Sequence, residues 1–203
     1  YMLCAFTALV SIISFVKVRE RNLQREKAIL EDKVRERTKE LAEKNTEITD
    51  SINYAQNIQR AILPAIKSIE RGFEDSFVLF RPRDIVSGDF YWFANKGDRV
   101  LIAACDCTGH GVPGAFVSMI GNNLLNQIVL EQDRNNTGHI LTLLNDGVKK
   151  IFTRDEEQEA QDGMDMALLQ FELGERDKTL KSVQYSGAGN PLLFVRKGMV
   201  SSG

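Results

Sequence analysis

A chain of 203 residues holds one domain of ordinary size plus an accessory element, so a single core is expected. A formal net charge of −2, with 26 Lys and Arg set among 28 Asp and Glu, gives no basic field to gather a phosphate backbone and argues against nucleic acid as a partner. Of the three cysteines one lies in an apolar N-terminal run, while Cys105 and Cys107 flank an aspartate; this excludes a disulfide scaffold and points to a reducing, cytosolic setting.

Residues 1–16 (YMLCAFTALVSIISFV) carry no charge and run directly into Lys17, Arg19 and Arg21, the pattern of a membrane helix ending on the cytoplasmic side. The run is shorter than the roughly 20 residues of a full span, but the chain opens on Tyr rather than Met, so residues 1–16 are expected to be the end of a transmembrane helix. A buried apolar helix is the alternative. A signal peptide fits poorly, because its basic residues would precede the apolar run. The expected location is the cytoplasmic membrane, with everything after residue 16 facing the cytoplasm.

Residues 17–63 contain no Gly or Pro and are dense in Glu, Lys, Arg, Gln and Leu, which predicts one long helix that Pro64 ends. Val34, Leu41, Ile48, Ala55 and Ile62 recur every seven residues, with Leu30, Ile52 and Ile58 partly filling a second seam that Arg37, Lys44 and Ser51 interrupt. This spacing predicts a parallel homodimeric coiled coil over residues 27–62, serving as a signalling helix; a solvated single helix is the alternative. The last turns (Ile52, Tyr54, Ala55, Ile58, Ile62, Leu63) are more apolar and are expected to pack on the following domain.

From residue 73 onward the pattern changes to short apolar or alternating runs separated by turns. Segments 76–80, 88–94, 99–105, 166–173, 180–186 and 191–195 read as strands. One helix begins at Pro113–Gly114, with Phe116, Met119, Ile120, Leu124 and Ile128 on one face, and a second begins near Thr137, with Ile140, Leu144, Val148 and Ile151. Strands, helices and further strands in that order predict an α+β fold with antiparallel sheets. The final strand and the Lys197–Gly198 turn read as an interruption within the fold.

The hairpin FYWFANKGDRVLIAACD carries the chemistry. A turn centred between Lys96 and Gly97 sets Asp89 across from Ala104 and Asp106 across from Ser87, so both carboxylates emerge at one end and on one face. Two like charges held that close require either a shared proton or a divalent cation. All-oxygen ligation selects Mg²⁺ or Mn²⁺ over zinc. Spacing alone leaves open that each aspartate caps a loop or pairs with an Arg.

Asp106 opens DCTGHGVPGAF, in which Gly109–Gly114 matches a dinucleotide fingerprint in form. That reading sets a negative charge beside the pyrophosphate and lacks a second strand ending in an acid. A metal reading makes the same aspartate a ligand, with the glycines bending the chain off the strand. Strand alternation turns the Cys105 and Cys107 thiols away from Asp106, so core packing is their expected role. His110 either protonates a leaving oxygen or supports the glycine loop, and the sequence shows it no partner. Arg83 either holds a phosphate or is a surface residue beside Pro82. Asp162 and Asp165 read as turn residues rather than ligands.

The segments SGDFYWF (87–93), ACDCTGHGVPGAFVSMIG (104–121), DGMDMAL (162–168) and YSGAGNPLLF (185–194) resemble, in order, motifs of the SpoIIE-type branch of the PPM, or protein phosphatase 2C-like, serine/threonine phosphatases. The resemblance implies an α-β-β-α sandwich, incomplete here, with two Mn²⁺ or Mg²⁺ ions and a metal-activated water, and no protein nucleophile. It implies that Asp89 and Asp106 are metal ligands, joined by the main-chain carbonyl of Cys107, and that the substrate is a phosphoserine on a regulatory protein. The family draws further acidic ligands from nearer its C-terminus, and nothing after Asp177 is acidic. Residues 64–203 are therefore expected to be a C-terminally truncated domain with little activity alone. The competing function is a catalytically degenerate signalling or binding module of the same fold. A sensor histidine kinase is disfavoured, since neither His110 nor His139 sits on a dimerising helix followed by an ATP domain.

Overall fold

The computed structural model describes residues 2–73, 75–153, 163–174, 179–196 and 199–202. Its first element, α1 (Met2–Ile62), spans the boundary between two compact units, residues 1–51 and 52–203. In the first unit the charged stretch is helical because its residues are strong helix formers and pair along the surface, as in Lys27–Glu31 (3.6 Å), Arg37–Glu40 (2.6 Å) and Lys44–Glu47 (2.8 Å). Val34, Leu41 and Ile48 stand exposed at their seven-residue spacing. Residues 2–16 of the uncharged run are the first part of this helix, which continues past Lys17 without a break. Among the described residues no helix is long and apolar enough to cross a membrane.

In the second unit, α2 (Ile66–Glu70) follows Pro64, and then β1 (Phe90–Asn95) and β2 (Arg99–Cys107) form the hairpin. Helix α3 (Gly111–Leu125) runs into a π-helical turn (Asn126–Glu131), and α4 (Thr137–Phe152) leads to β3 (Met164–Leu173) and β4 (Leu180–Ala188). The four strands form one antiparallel sheet in the order β1-β2-β3-β4, while β5 (Leu193–Arg196) and β6 (Met199–Ser202) pair as a separate antiparallel ribbon. The α+β class and the antiparallel pairing are as expected.

The core lies between the sheet and the helices α3 and α4. Strand alternation sends Phe90, Trp92, Leu101, Ala103, Cys105, Met166 and Leu168 to that side, where they meet Leu125, Val129, Ile140 and Leu144. Trp92 is buried, and its indole N–H donates to Asn126 Oδ1 at 2.8 Å, so the ring adds apolar area with no unpaired donor. On the other side of the sheet, the Phe73 ring covers the end away from the aspartates, edge-on to Phe171 at 5.0 Å and near Phe93 at 6.4 Å.

Three expectations are corrected. Residues 76–80 form no strand among the described residues: Phe77 and Leu79 are exposed, and the segment is positioned instead by Phe80, whose ring meets Tyr91 edge-on at 5.6 Å. The face expected for this helix is only partly the buried one: Ile128 is in the core and Leu124 packs against it, but Phe116 is exposed. Ala115, Ser118, Gly121, Asn122 and Leu125 are buried on α3, packed so closely that a Cβ on Gly121 would lie 2.8 Å from Met164 Cε. The last turns of α1 dock through Ile52, Ala55, Gln56, Gln59 and Ile62, leaving Tyr54 and Ile58 exposed. Gln59, a residue type with no apolar signal, is the most buried of them because its amide is bonded to both main-chain groups of Ser87 and to the Ser118 hydroxyl. The Lys197–Gly198 turn lies outside the described residues.

Candidate metal centre

The hairpin sets the site. Lys96 N–H donates to Arg99 O at 2.8 Å and Gly97 adopts a φ of +84°, so the turn is centred between Gly97 and Asp98. This is one residue later than the sequence spacing predicts, and it shifts every cross-strand pair by two. Phe90 faces Cys105, and the same register continued by one residue sets Asp89 directly opposite Asp106. The expected partners, Ala104 and Ser87, are replaced by the carboxylates themselves. Both acids lie on the face of the sheet away from α3 and α4, with their carboxyls close enough to interact. Partial burial, then hydrogen bonding and charge from Asp106, raise the Asp89 carboxyl above its ordinary value of 3.8, so Asp89 holds its proton more firmly than an isolated aspartate.

The strand after the glycine loop brings a third acid to the row. Asp165 is not in a turn: it lies in β3, paired with Asp106, and therefore on the same face. A Cβ on Gly189 would overlap its carboxyl, which explains a glycine at that position of positive φ (+78°). The sequence signal for it was the alternation of Met164, Met166 and Leu168 inward with Asp165, Ala167 and Leu169 outward. Asp162 lies outside the described residues. Among the described residues no three His, Cys, Asp or Glu side chains converge tightly enough to hold an ion by themselves.

Backbone carbonyls complete the floor. A Cβ on Gly88 would lie 2.6 Å from Gly109 O and 3.2 Å from Cys107 O, and one on Gly114 would lie 2.5 Å from Gly109 O. Three chain segments thus approach closely at Gly88, the residue before Asp89, an approach that side chains at those glycines would prevent. The donors are all oxygen and hard, and they fit Mg²⁺ or Mn²⁺. The thiols do not join them. Cys105 and Cys107 are buried on the core side; burial pushes the Cys105 thiol well up, and burial followed by the Asp89 and Asp106 carboxylates pushes Cys107 up to about 12.

Around this floor, Ser87 Oγ accepts from Asp89 N–H at 3.0 Å, fixing the chain just before β1. Ser87 is in turn held by Gln59 of α1, whose Oε1 accepts from Ser87 N–H at 3.0 Å while its Nε2 donates to Ser87 O at 2.5 Å and to Ser118 Oγ at 2.9 Å. His110, at the start of α3, does have a partner that the sequence did not reveal: its Nδ1 lies 3.0 Å from Asp84 Oδ2. Both side chains are largely solvent-accessible. Arg83 is exposed and does not line the cavity of about 730 Å³ that holds Asp89 and Asp106, whereas Arg81 does.

Residues 96–201, which include Asp106, the glycine loop and all of β3 and β4, match the sequence profile of the family described as stage II sporulation protein E (SpoIIE). This chain belongs to the SpoIIE family. Its structure is also similar to the SiaA-PP2C domain of Pseudomonas aeruginosa, at 30% sequence identity and a TM-score of 0.61, over 73% of this chain. The match spans 56% of the length of that chain. No curated protein matches. The SpoIIE domain seen here thus has a PP2C-like fold, and the aspartates and glycines assembled above lie in or beside the part of the chain that carries the family match.

Proposed function

We propose that this SpoIIE-family chain is the catalytic portion of a membrane-attached receptor that removes phosphate from phosphoserine or phosphothreonine on a regulatory protein. The observation that carries the reading is the direct opposition of Asp89 and Asp106 over the glycine-lined carbonyl floor. Asp89, Asp106 and the Cys107 carbonyl would hold the Mn²⁺ or Mg²⁺ ions. When bound, the ions supply an acidified water and offset the charge on the phosphoryl oxygens. The chain's own residues orient that centre: Gln59 and Ser87 fix Asp89, and the hairpin register fixes Asp106 against it. Hydrolysis breaks the bond between phosphorus and the serine oxygen, releasing phosphate and returning a proton to that oxygen. Arg83, beside Pro82, remains a proposed substrate contact, of lower standing than the aspartates because it lies off the cavity.

The uncharged run before Lys17 supports attachment at the cytoplasmic membrane, and the seven-residue spacing supports a parallel homodimer through residues 27–62. A second reading, a non-catalytic binding module of the same fold, is favoured by the lack of a third converging acid among the described residues. The discriminating experiment is Mn²⁺-dependent phosphate release from a phosphoserine protein by the full-length protein. Release that disappears in Asp106→Asn supports the phosphatase; a full-length protein that binds Mn²⁺ but releases no phosphate supports the binding module. Residues 64–203 alone are expected to turn over little.

A further inference from the structure

We propose that the cavity between α4 and the start of β3 is a subsite for the peptide flanking the phosphoserine, taking an apolar side chain with an acidic residue beyond it; this rests on the phosphatase reading above. The cavity has about 380 Å³ of room and is distinct from the one that holds Asp89 and Asp106. Its floor is apolar, made by Leu144 and Val148 of α4 and by Met164 and Met166 of β3. Methionine is unbranched and polarizable, so such a floor adapts to leucine, methionine or a similar side chain.

Register and charge tie this cavity to the acid pair. Asp165, in its lining, is paired with Asp106, so the cavity begins one strand away from the site. Neighbouring strands are about 4.8 Å apart and successive residues of a peptide about 3.8 Å, so a residue beside the phosphoserine reaches that far. The mouth is built by the chain that leaves the acids. Past the last β2–β3 pair, Thr108 N–H donates to Gly163 O at 2.9 Å and Gly163 N–H donates to Thr108 Oγ at 3.1 Å; both residues belong to the lining. Lys149 of α4 is the one cationic residue there, and among the described residues it has no ion-pair partner. Asp165 repels a carboxylate on the β3 side, which leaves the α4 side, with Lys149, for the acidic residue. The ligand class is therefore a phosphoserine peptide with an apolar and then an acidic neighbour.

The test uses the full-length protein loaded with Mn²⁺, as wild type, Asn145→Trp, Lys149→Glu and Lys150→Glu. Asn145 and Lys149 line the cavity from exposed positions, whereas Lys150 is exposed outside it. The substrates are phosphoserine peptides carrying Leu-Glu, Gly-Glu or Leu-Lys next to the phosphoserine, on either side of it, and p-nitrophenyl phosphate, which has no flanking residue. In one of the two directions, wild-type kcat/KM is expected to favour Leu-Glu over Gly-Glu by about tenfold or more, the burial of one leucine side chain. Asn145→Trp fills the cavity and should cut that preference to about twofold or less. Lys149→Glu should turn a preference of about threefold for Leu-Glu over Leu-Lys into the reverse, and Lys150→Glu should shift it less. No preference for leucine over glycine in the wild type overturns the subsite, as does an Asn145→Trp protein that slows p-nitrophenyl phosphate as much as the Leu-Glu peptide. A wild type that hydrolyses neither peptides nor p-nitrophenyl phosphate overturns the phosphatase reading instead. Peptide Kd by fluorescence anisotropy then decides the cavity: it stands if Leu-Glu binds about tenfold tighter than Gly-Glu and Asn145→Trp removes the difference, and falls otherwise.

Discussion

Asp89 is the residue on which the proposed chemistry turns, and its environment makes a prediction without any substrate. Its carboxyl is raised above the ordinary value of 3.8 by burial, by the hydrogen bond with Asp106 and by the charge of Asp106. A group whose folded value is raised contributes stability at pH below the unfolded value, and that contribution is lost as pH rises through the folded value. The metal-free protein is therefore expected to lose stability as pH climbs above the ordinary carboxylate range, where the shared proton leaves and two anions face each other. Asp106→Asn removes one of those charges while keeping a hydrogen-bonding group, so it should flatten this decline and raise the metal-free melting temperature at pH 7 by a few degrees. The same variant should abolish stabilisation by Mn²⁺, which in the wild type would amount to about 2.7 kcal/mol at a hundredfold excess over Kd. Thermal melts of both proteins across pH, with and without Mn²⁺, check it; a variant that melts lower than wild type at pH 7 without metal contradicts it. The pairing of acids was legible in sequence because a turn signal and two apolar runs define a hairpin. Its register was not, because Lys96-Gly97 and Gly97-Asp98 are both acceptable turn centres, and only the hydrogen bond from Lys96 to Arg99 selects the second. Asp165 was missed for a related reason: an aspartate two residues after a glycine resembles turn chemistry until strand pairing sets it beside Asp106.

The end of α1 shows how an element can be found from sequence while its working face is not. Absence of Gly and Pro up to Pro64 defined the helix, and rising apolar content located the turns that dock. Amphipathic pattern then points to Tyr54 and Ile58, but those are exposed and the contact closes on two glutamines. Gln56 donates to Ile85 O, and Gln59 grips both the N–H and the carbonyl of Ser87. Such a side chain is buried because its partners lie on a distant segment, 28 residues on, and periodicity carries no record of that. Gln59→Ala leaves the Ser87 main chain and the Ser118 hydroxyl without this partner, so it should cost about 1–3 kcal/mol for each buried group that no water reaches. Because Ser87 Oγ receives the Asp89 N–H, the same substitution should also weaken Mn²⁺ binding. Gln59→Glu separates the two effects: it keeps an acceptor for Ser87 N–H but opposes a carboxylate to Ser87 O. Its stability loss should match or exceed that of the alanine variant, despite its near-identical shape. Urea unfolding and Mn²⁺ titration of the three proteins provide the measurement, and a Gln59→Glu protein as stable as wild type would remove the bidentate amide from the argument.

For the whole molecule the two compact units pose different physical problems. Residues 52–203 bury a core between a sheet and two helices. The described residues 2–51 of the first unit are a single helix, and its surface ion pairs contribute only about 0.2–0.5 kcal/mol each. Val34, Leu41 and Ile48, exposed at intervals of seven, are the positions that a second copy would cover. If a parallel dimer forms there, replacing one central leucine by a charge removes apolar burial from both helices at once. Leu41→Lys should then weaken the dimer by about 3 kcal/mol, roughly a hundredfold in its dissociation constant. Glu40→Gln, one position away and paired with Arg37 on the helix surface, should leave association nearly unchanged, since an exposed pair is worth at most about 1 kcal/mol. Sedimentation equilibrium of the chain from Lys17 onward, at several concentrations, distinguishes the two. A wild-type chain that stays monomeric at every concentration means that the helix is a solvated rod and that the heptad spacing reflects only its amphipathic pattern. A dimer that survives Leu41→Lys unchanged would instead show that the contact lies on another face of the helix or on the catalytic unit.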